Sequence, residues 1–145
     1  MPRNVPMLLI RIVVGIVFIT EGVLKFLYPG ELGAGRFAHI GLPWPHLLAP
    51  VVGALEVAAG AAVILNFYAG DAAIVLLSII ATALVSTKLP ILLGHAVGPF
   101  QLSKSAEHHG MLGFIHEART DLAMLFSLVA ILVDSGVRGG SRSRR

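Results

Sequence analysis

The chain has 145 residues, 56% of them hydrophobic and only 13% charged, with no cysteine and a formal net charge of +3. A soluble domain carries about 25% charged residues, so an ordinary soluble fold is excluded; without cysteine, so are disulfide frameworks, thiol redox chemistry and Cys-ligated clusters. The positive excess sits largely in the tail Arg138, Arg142, Arg144, Arg145, a topology signal or anionic-lipid contact rather than a nucleic-acid surface.

After a basic lead, Met1 to Asn4, an apolar run predicts a first span over about 5–27, closed by the turn signal Tyr28-Pro29-Gly30. A secretory signal is the competing reading. Arg11 and Glu21 interrupt the apolar region and no small-x-small cleavage site follows, which argues against it. Glu31 to Pro45 is a long connection in which Arg36 to Ile40 suits a short interfacial helix, with Trp44 at headgroup level. A second span is expected over about 46–68 and a tight turn over Asn66 to Asp71. A third follows over about 72–93, which Pro90 kinks or ends.

Gly94 to Gly110 is the second long connection, and Met111 to Val133 the fourth apolar segment. That segment contains a charged island, His116-Glu117-Ala118-Arg119-Thr120-Asp121. Leu122 to Val133 alone makes about 18 Å of helix, too short for a hydrocarbon core of about 30 Å. The island therefore lies at one end of a full span, or in water at the interface. The expected fold is all-α: an integral-membrane four-helix bundle as one domain over 1–136, with a basic cytoplasmic tail over 137–145. By the positive-inside rule both termini are inside, in the inner membrane. The long connections and all six histidines (His39, His46, His95, His108, His109, His116) then lie at or beyond the outer ends of the spans.

A charge within a span costs about 2.5–3.5 kcal/mol on insertion scales and usually faces the interior and pairs. At 1.5 Å per residue, Glu21, Lys25, Lys88, Glu117, Arg119 and Asp121 reach overlapping depths outward of mid-span, and their charges cancel. They predict a neutral cluster in the outer third of the bundle, with His116 beside it. Glu117 and Asp121 share a face at i, i+4, so they need a cation between them or a proton on one. Lys25 or Lys88 is the economical cation. Arg11, Gly15, Phe18, Gly22 and Lys25 form one stripe, and Gly53, Glu56 and Gly60 another, both suited to close helix approach. From their depths, Arg11 and Glu56 are expected to form a buried ion pair. His116, Arg119, Ala123, Ser127 and Ala130 form a small, polar face on the fourth segment.

No metal or haem site is expected. Glu107-His108-His109 offers adjacent loop residues, which are poor co-ligands, and no His-x-x-x-His helix pair is present. Lys25-Phe26-Leu27-Tyr28-Pro29 and Lys88-Leu89-Pro90 echo each other faintly, as two related hairpins would.

The ordered pieces Arg11…Gly15…Phe18…Gly22…Lys25, Arg36-Phe37…Ile40-Gly41-Leu42-Pro43, Gly53-x-x-Glu56-x-x-x-Gly60, Thr87-Lys88 and His116 to Asp121 together resemble the DoxX family of small four-helix membrane proteins. The resemblance covers the chain to about Gly136. It implies a membrane subunit linked to quinone-dependent redox, including sulfur-compound oxidation, or a membrane partner of oxidative-stress proteins. The leading expectation is a quinone-interacting subunit of a redox complex. Its polar cluster would bind the headgroup or relay its proton, with His116, Glu117 and Asp121 accepting protons and Lys25, Lys88 and Arg119 tuning them. The partners expected are the bilayer and a protein partner or second copy. A scaffold whose charges only set helix packing is the rival, and a small transporter is less favoured.

Overall fold

The computed structural model describes residues 5–102 and 108–142, with side chains through residue 136. The tail over 137–145 is outside the described side chains, and Glu107 outside the described residues. The chain is helical: α1 (Val5–Leu27), α2 (Ala34–Ile40), α3 (Pro45–Leu65), α4 (Ala69–Ala83), a π-helical segment (Leu84–Lys88), α5 (Leu89–Leu93) and α6 (Gly110–Arg142). Three stretches, Val5–Leu27, Pro45–Leu65 and Ala69–Leu93, are long and apolar enough to cross a membrane.

The side-chain distribution is that of a protein solvated by lipid. Large apolar residues face outward, among them Leu8, Leu9, Val13 and Ile16 on α1 and Leu47 and Val51 on α3. Small ones face inward, such as Ala49, Ala59, Ala69, Ala72 and Ala73. Association between apolar helices in lipid rests on close packing, which small residues permit. Phe26, Tyr28 and Trp44 are exposed at one end of the bundle, and Phe67 and Tyr68 at the other. Aromatic residues at both ends fit two membrane–water interfaces.

Antiparallel α1 and α3 make the tightest helix pair, along the two stripes read from the sequence. A Cβ on Gly22 would lie 2.5 Å from the Gly53 carbonyl oxygen, and one on Gly15 2.7 Å from that of Gly60. These two contacts set the register. The turn from α3 to α4 is shorter than expected: α3 ends at Leu65 and α4 begins at Ala69, because Asn66 and Tyr68 adopt left-handed backbone at φ 56° and 47°. Asn tolerates that region better than most residues. α4 then packs against both α3 and α6. In the half of the bundle nearest this turn, Val14, Val63, Ala73, Leu76, Leu128 and Ile131 close an apolar core, each fully buried.

Pro90 does not end the third stretch, which continues to Leu93. Proline lacks the N–H that would pair with the Ser86 carbonyl, and the helix widens just ahead of it into the π-helical segment. There the Leu89 N–H reaches back to the Leu84 carbonyl, five residues away, and the helix continues to Leu93.

Helix α2 lies across the other end of the bundle against α3, anchored by buried Phe37. The two long connections meet there. The Gln101 N–H donates to the Ile40 carbonyl at 3.1 Å. Gly41, at φ 97°, passes so close to the Pro99 carbonyl that any side chain would collide with it. Helix α6 begins at this end and runs to the opposite one, past Val133 to Arg142.

Candidate functional site

Toward α2 the helices part and enclose a cavity of about 620 Å³. Its charged lining is Glu21 and Lys25 from α1, Arg36 from α2, Glu56 from α3, Lys88 from the π-helical segment, and Glu117 and Asp121 from α6. Phe18, Ile80 and Met124 form its apolar floor above that core. A smaller recess of about 100 Å³ adjoins it between α2 and the π-helical segment, where Arg36, His39, Thr87, Lys88, Gln101 and Glu117 meet.

The two lysines organise the charge. Lys25 Nζ lies 2.7 Å from Glu56 Oε2 and 3.9 Å from Glu21 Oε2. Lys88 Nζ lies 3.7 Å from Asp121 Oδ2. Lys25 and Glu56 are nearly enclosed, with side chains 10% and 5% exposed, whereas the Glu21 side chain is half-exposed at 53%. In each hairpin, a lysine near the end of the first long helix pairs with a carboxylate on the second: Lys25 with Glu56, Lys88 with Asp121. This gives the echo around those lysines a structural counterpart. Arg36 and Glu117 both line the cavity but make no ion pair with the described residues.

The expected Arg11–Glu56 pair does not form. Arg11 donates instead to Asp134 Oδ2 at 2.8 Å, joining the start of α1 to α6 at the far end of the bundle. The register explains the exchange. With Gly22 against Gly53 and Gly15 against Gly60, Glu56 stands level with Ile19. Lys25 is about 9 Å above that level and Arg11 about 12 Å below it. Helical side chains lean toward their own N-terminus. Lys25 therefore leans toward Glu56 and Glu56 leans toward Lys25, while Arg11 leans away. A double-mutant cycle of Arg11→Gln with Asp134→Asn should give a coupling of about 0.5–3 kcal/mol in unfolding titrations, and Arg11→Gln with Glu56→Gln should be additive within about 0.5 kcal/mol. Additivity in the first cycle, or coupling in the second, would restore the pairing drawn from depth alone.

His116 and Arg119 are not in the cavity. Both lie exposed on the outer side of α6, where Arg119 Nη1 donates to the His116 carbonyl. At about 100° per residue, Arg119 stands opposite the mean direction of Glu117 and Asp121. The packed face of α6 is Ala118, Met124, Leu128 and Ile131, rather than the expected face through His116, Arg119 and Ala123. Sequence reading omitted Arg36, Ser86 and Thr87 from the site. A signal for Ser86 existed: Ser78, Thr82 and Ser86 recur every fourth residue, on the third stretch just before Lys88. Arg36 had none beyond its place in a short amphipathic segment. Among the described residues no three of His, Asp and Glu gather as a metal centre.

The profile of the DoxX family matches residues 6–89. The chain is also similar to the uncharacterized membrane protein Rv3486 of Mycobacterium tuberculosis, at 40% identity over 123 residues, which is 85% of this chain and 71% of that protein. No solved structure matches.

Proposed function

This chain belongs to the DoxX family of membrane proteins, and on that premise we propose that it is a quinone-interacting subunit of a membrane redox complex, with the headgroup held in the polar cavity. The observation that carries this reading is the cavity itself: about 620 Å³, with Lys25, Lys88, Glu117 and Asp121 on its wall above an apolar floor. Small-molecule sites commonly have this character, mostly apolar with a few convergent polar groups. A bound quinone supplies two-electron, two-proton chemistry. The residues suited to it are Lys88, whose loose contact with Asp121 leaves ammonium protons for a carbonyl oxygen, and Asp121 and Glu117, which can hold or release a proton beside it. The electrons would come from a partner subunit, since a cysteine-free chain supplies no thiol couple.

The same reading makes α6 the fourth crossing, its inward charges Glu117 and Asp121 turned to the cavity and its far end tied to α1 through Arg11 and Asp134. Arg3 and the arginine tail then place both termini on the cytoplasmic face of the inner membrane. The cavity and both long connections lie toward the outer face. In this arrangement His116 and Arg119 contact headgroups or a partner and take no part in proton transfer.

The scaffold reading draws on a different observation. Lys25–Glu56 and Arg11–Asp134 each bridge two helices, as pairs that set packing do. Asp121→Asn separates the two, because Asp121 lines the cavity and makes only the looser 3.7 Å contact. For the purified protein in nanodiscs, the variant is expected to lose no more than about 1 kcal/mol of unfolding free energy and to bind a ubiquinone-type quinone at least about tenfold more weakly, a loss of about 1.4 kcal/mol. A parent protein that binds no quinone, or an Asp121→Asn protein that loses stability and leaves quinone affinity unchanged, sinks the quinone reading.

A further inference from the structure

The cavity wall is unevenly divided. Its charges come from α1, α2, the α1-facing side of α3, the π-helical segment and α6. Between the outer halves of α3 and α4 the lining changes character, to Val52 and Leu55 on one helix and Val75, Ser78, Ile79 and Thr82 on the other. Leu55, Ser78 and Thr82 line the cavity and are nonetheless exposed, Leu55 at 43%. A lining side chain this exposed means that the cavity is open to the surroundings on this apolar side.

The two hydroxyls on this side do not make it polar. Ser78 donates to the Ile74 carbonyl at 3.0 Å and Thr82 to the Ser78 carbonyl at 2.9 Å. Ser86 donates likewise to the Thr82 carbonyl at 2.7 Å, and Thr87 to that of Ala83. Each hydroxyl proton is used within the helix, leaving the groove to present carbon and spent oxygen. Such back-bonding competes with the helix ladder and bends helices. The π-helical segment, which follows directly, weakens the ladder again. The α3–α4 pair is held at its other end by the tight turn over Asn66 and Tyr68.

We propose that the groove between the outer halves of α3 and α4 is a lateral portal and tail-binding site, so that the ligand of the cavity is an amphiphile with a long apolar chain that enters sideways from the bilayer. This rests on the quinone reading and deepens it. The headgroup would sit among Lys25, Lys88 and Asp121 while the chain leaves past Leu55 and Thr82 into lipid. Burying a chain along Val52, Leu55 and Ile79 adds affinity in proportion to the apolar contact made. A tail-less quinone would lack that contact and need no opened groove.

Because the chain contains no cysteine, the portal can be closed chemically. The double variant Leu55→Cys/Thr82→Cys, in nanodiscs, is compared before and after linking by a short bis-maleimide, with a long-tailed isoprenoid quinone and a tail-less benzoquinone as probes. Before linking, the variant should still bind both quinones, the tail-less one as the parent does and the tailed one more weakly, because Leu55→Cys removes part of the tail contact. After linking, binding of the tailed quinone should fall at least tenfold and that of the tail-less one change less than twofold. Equal binding of the tailed quinone by linked and unlinked protein overturns the portal while leaving the quinone reading intact. An equal fall for both quinones also overturns it, since the link has then deformed the cavity. If neither quinone binds the unlinked variant or the parent, the quinone reading fails and the portal with it.

Discussion

Lys25→Met is expected to be the most damaging single substitution outside the packed glycines, lowering stability by about 3–5 kcal/mol. The methionine keeps the length and apolar stem of the lysine but leaves Glu56 with no cation. Glu56 is 4% exposed, near the middle of α3, and the Lys25 ammonium lies 2.7 Å from it. A buried carboxylate deprived of its partner keeps its desolvation penalty and loses the attraction that offset it. The effect is therefore larger than the worth of the pair itself. Replacing both partners removes the orphan: Lys25→Met/Glu56→Met should return to parental stability or exceed it, as buried pairs exchanged for apolar residues often do. Denaturant titration of the detergent-solubilised protein reads both. A Lys25→Met protein as stable as the parent, or a double variant no better than the single, would refute the pairing. Arg11→Met supplies the control, because Glu56→Met should not rescue it.

The second large effect is expected at Gly22. A methyl group there would lie 2.5 Å from the Gly53 carbonyl oxygen and 2.8 Å from Val57 Cγ2. The first of these contacts sets Cβ, whose position no rotamer alters, against a backbone atom, so no rotamer change relieves it. Gly22→Val should separate α1 from α3 and cost about 3 kcal/mol, at the upper end of the range for overpacking a core. Because the same contact sets the register that brings Lys25 to Glu56, the loss should exceed that of Gly30→Ala, where an added Cβ meets nothing. Comparing unfolding midpoints of the two variants checks this; equal midpoints would show that α1 and α3 are not held by close glycine contacts. The position tests a membrane-specific rule, since apolar helices in lipid associate through proximity rather than exclusion of water.

Several features were legible in the chain because they are local properties. The three long apolar helices follow from runs of hydrophobic residues, and the α1–α3 contact face follows from Gly15, Gly22, Gly53 and Gly60 at helical spacing. The inward turn of Glu21, Lys25, Lys88, Glu117 and Asp121 follows from the penalty on charge in lipid, which leaves them little choice but the interior. His116 and Arg119 show the limit of that rule. Near the end of a helix a charged side chain can point outward and still reach water or headgroups, so depth alone does not assign its face. Helical angle does, and Arg119 stands opposite Glu117 and Asp121, the two carboxylates at its depth.

What the sequence determined by itself was a helical membrane protein with small residues and charges turned inward, because hydropathy and helical period are written residue by residue. What only the tertiary structure decided was which charge meets which. The exchange of Arg11 for Lys25 as the partner of Glu56 depends on the register between α1 and α3 and on the direction each side chain leans. The entry of Arg36 into the cavity depends on where α2 lies across the bundle. The continuation of the helix through Pro90 depends on neighbours able to support a π-helical turn. Each of these is a relation between segments distant in the chain, and no one segment carries it.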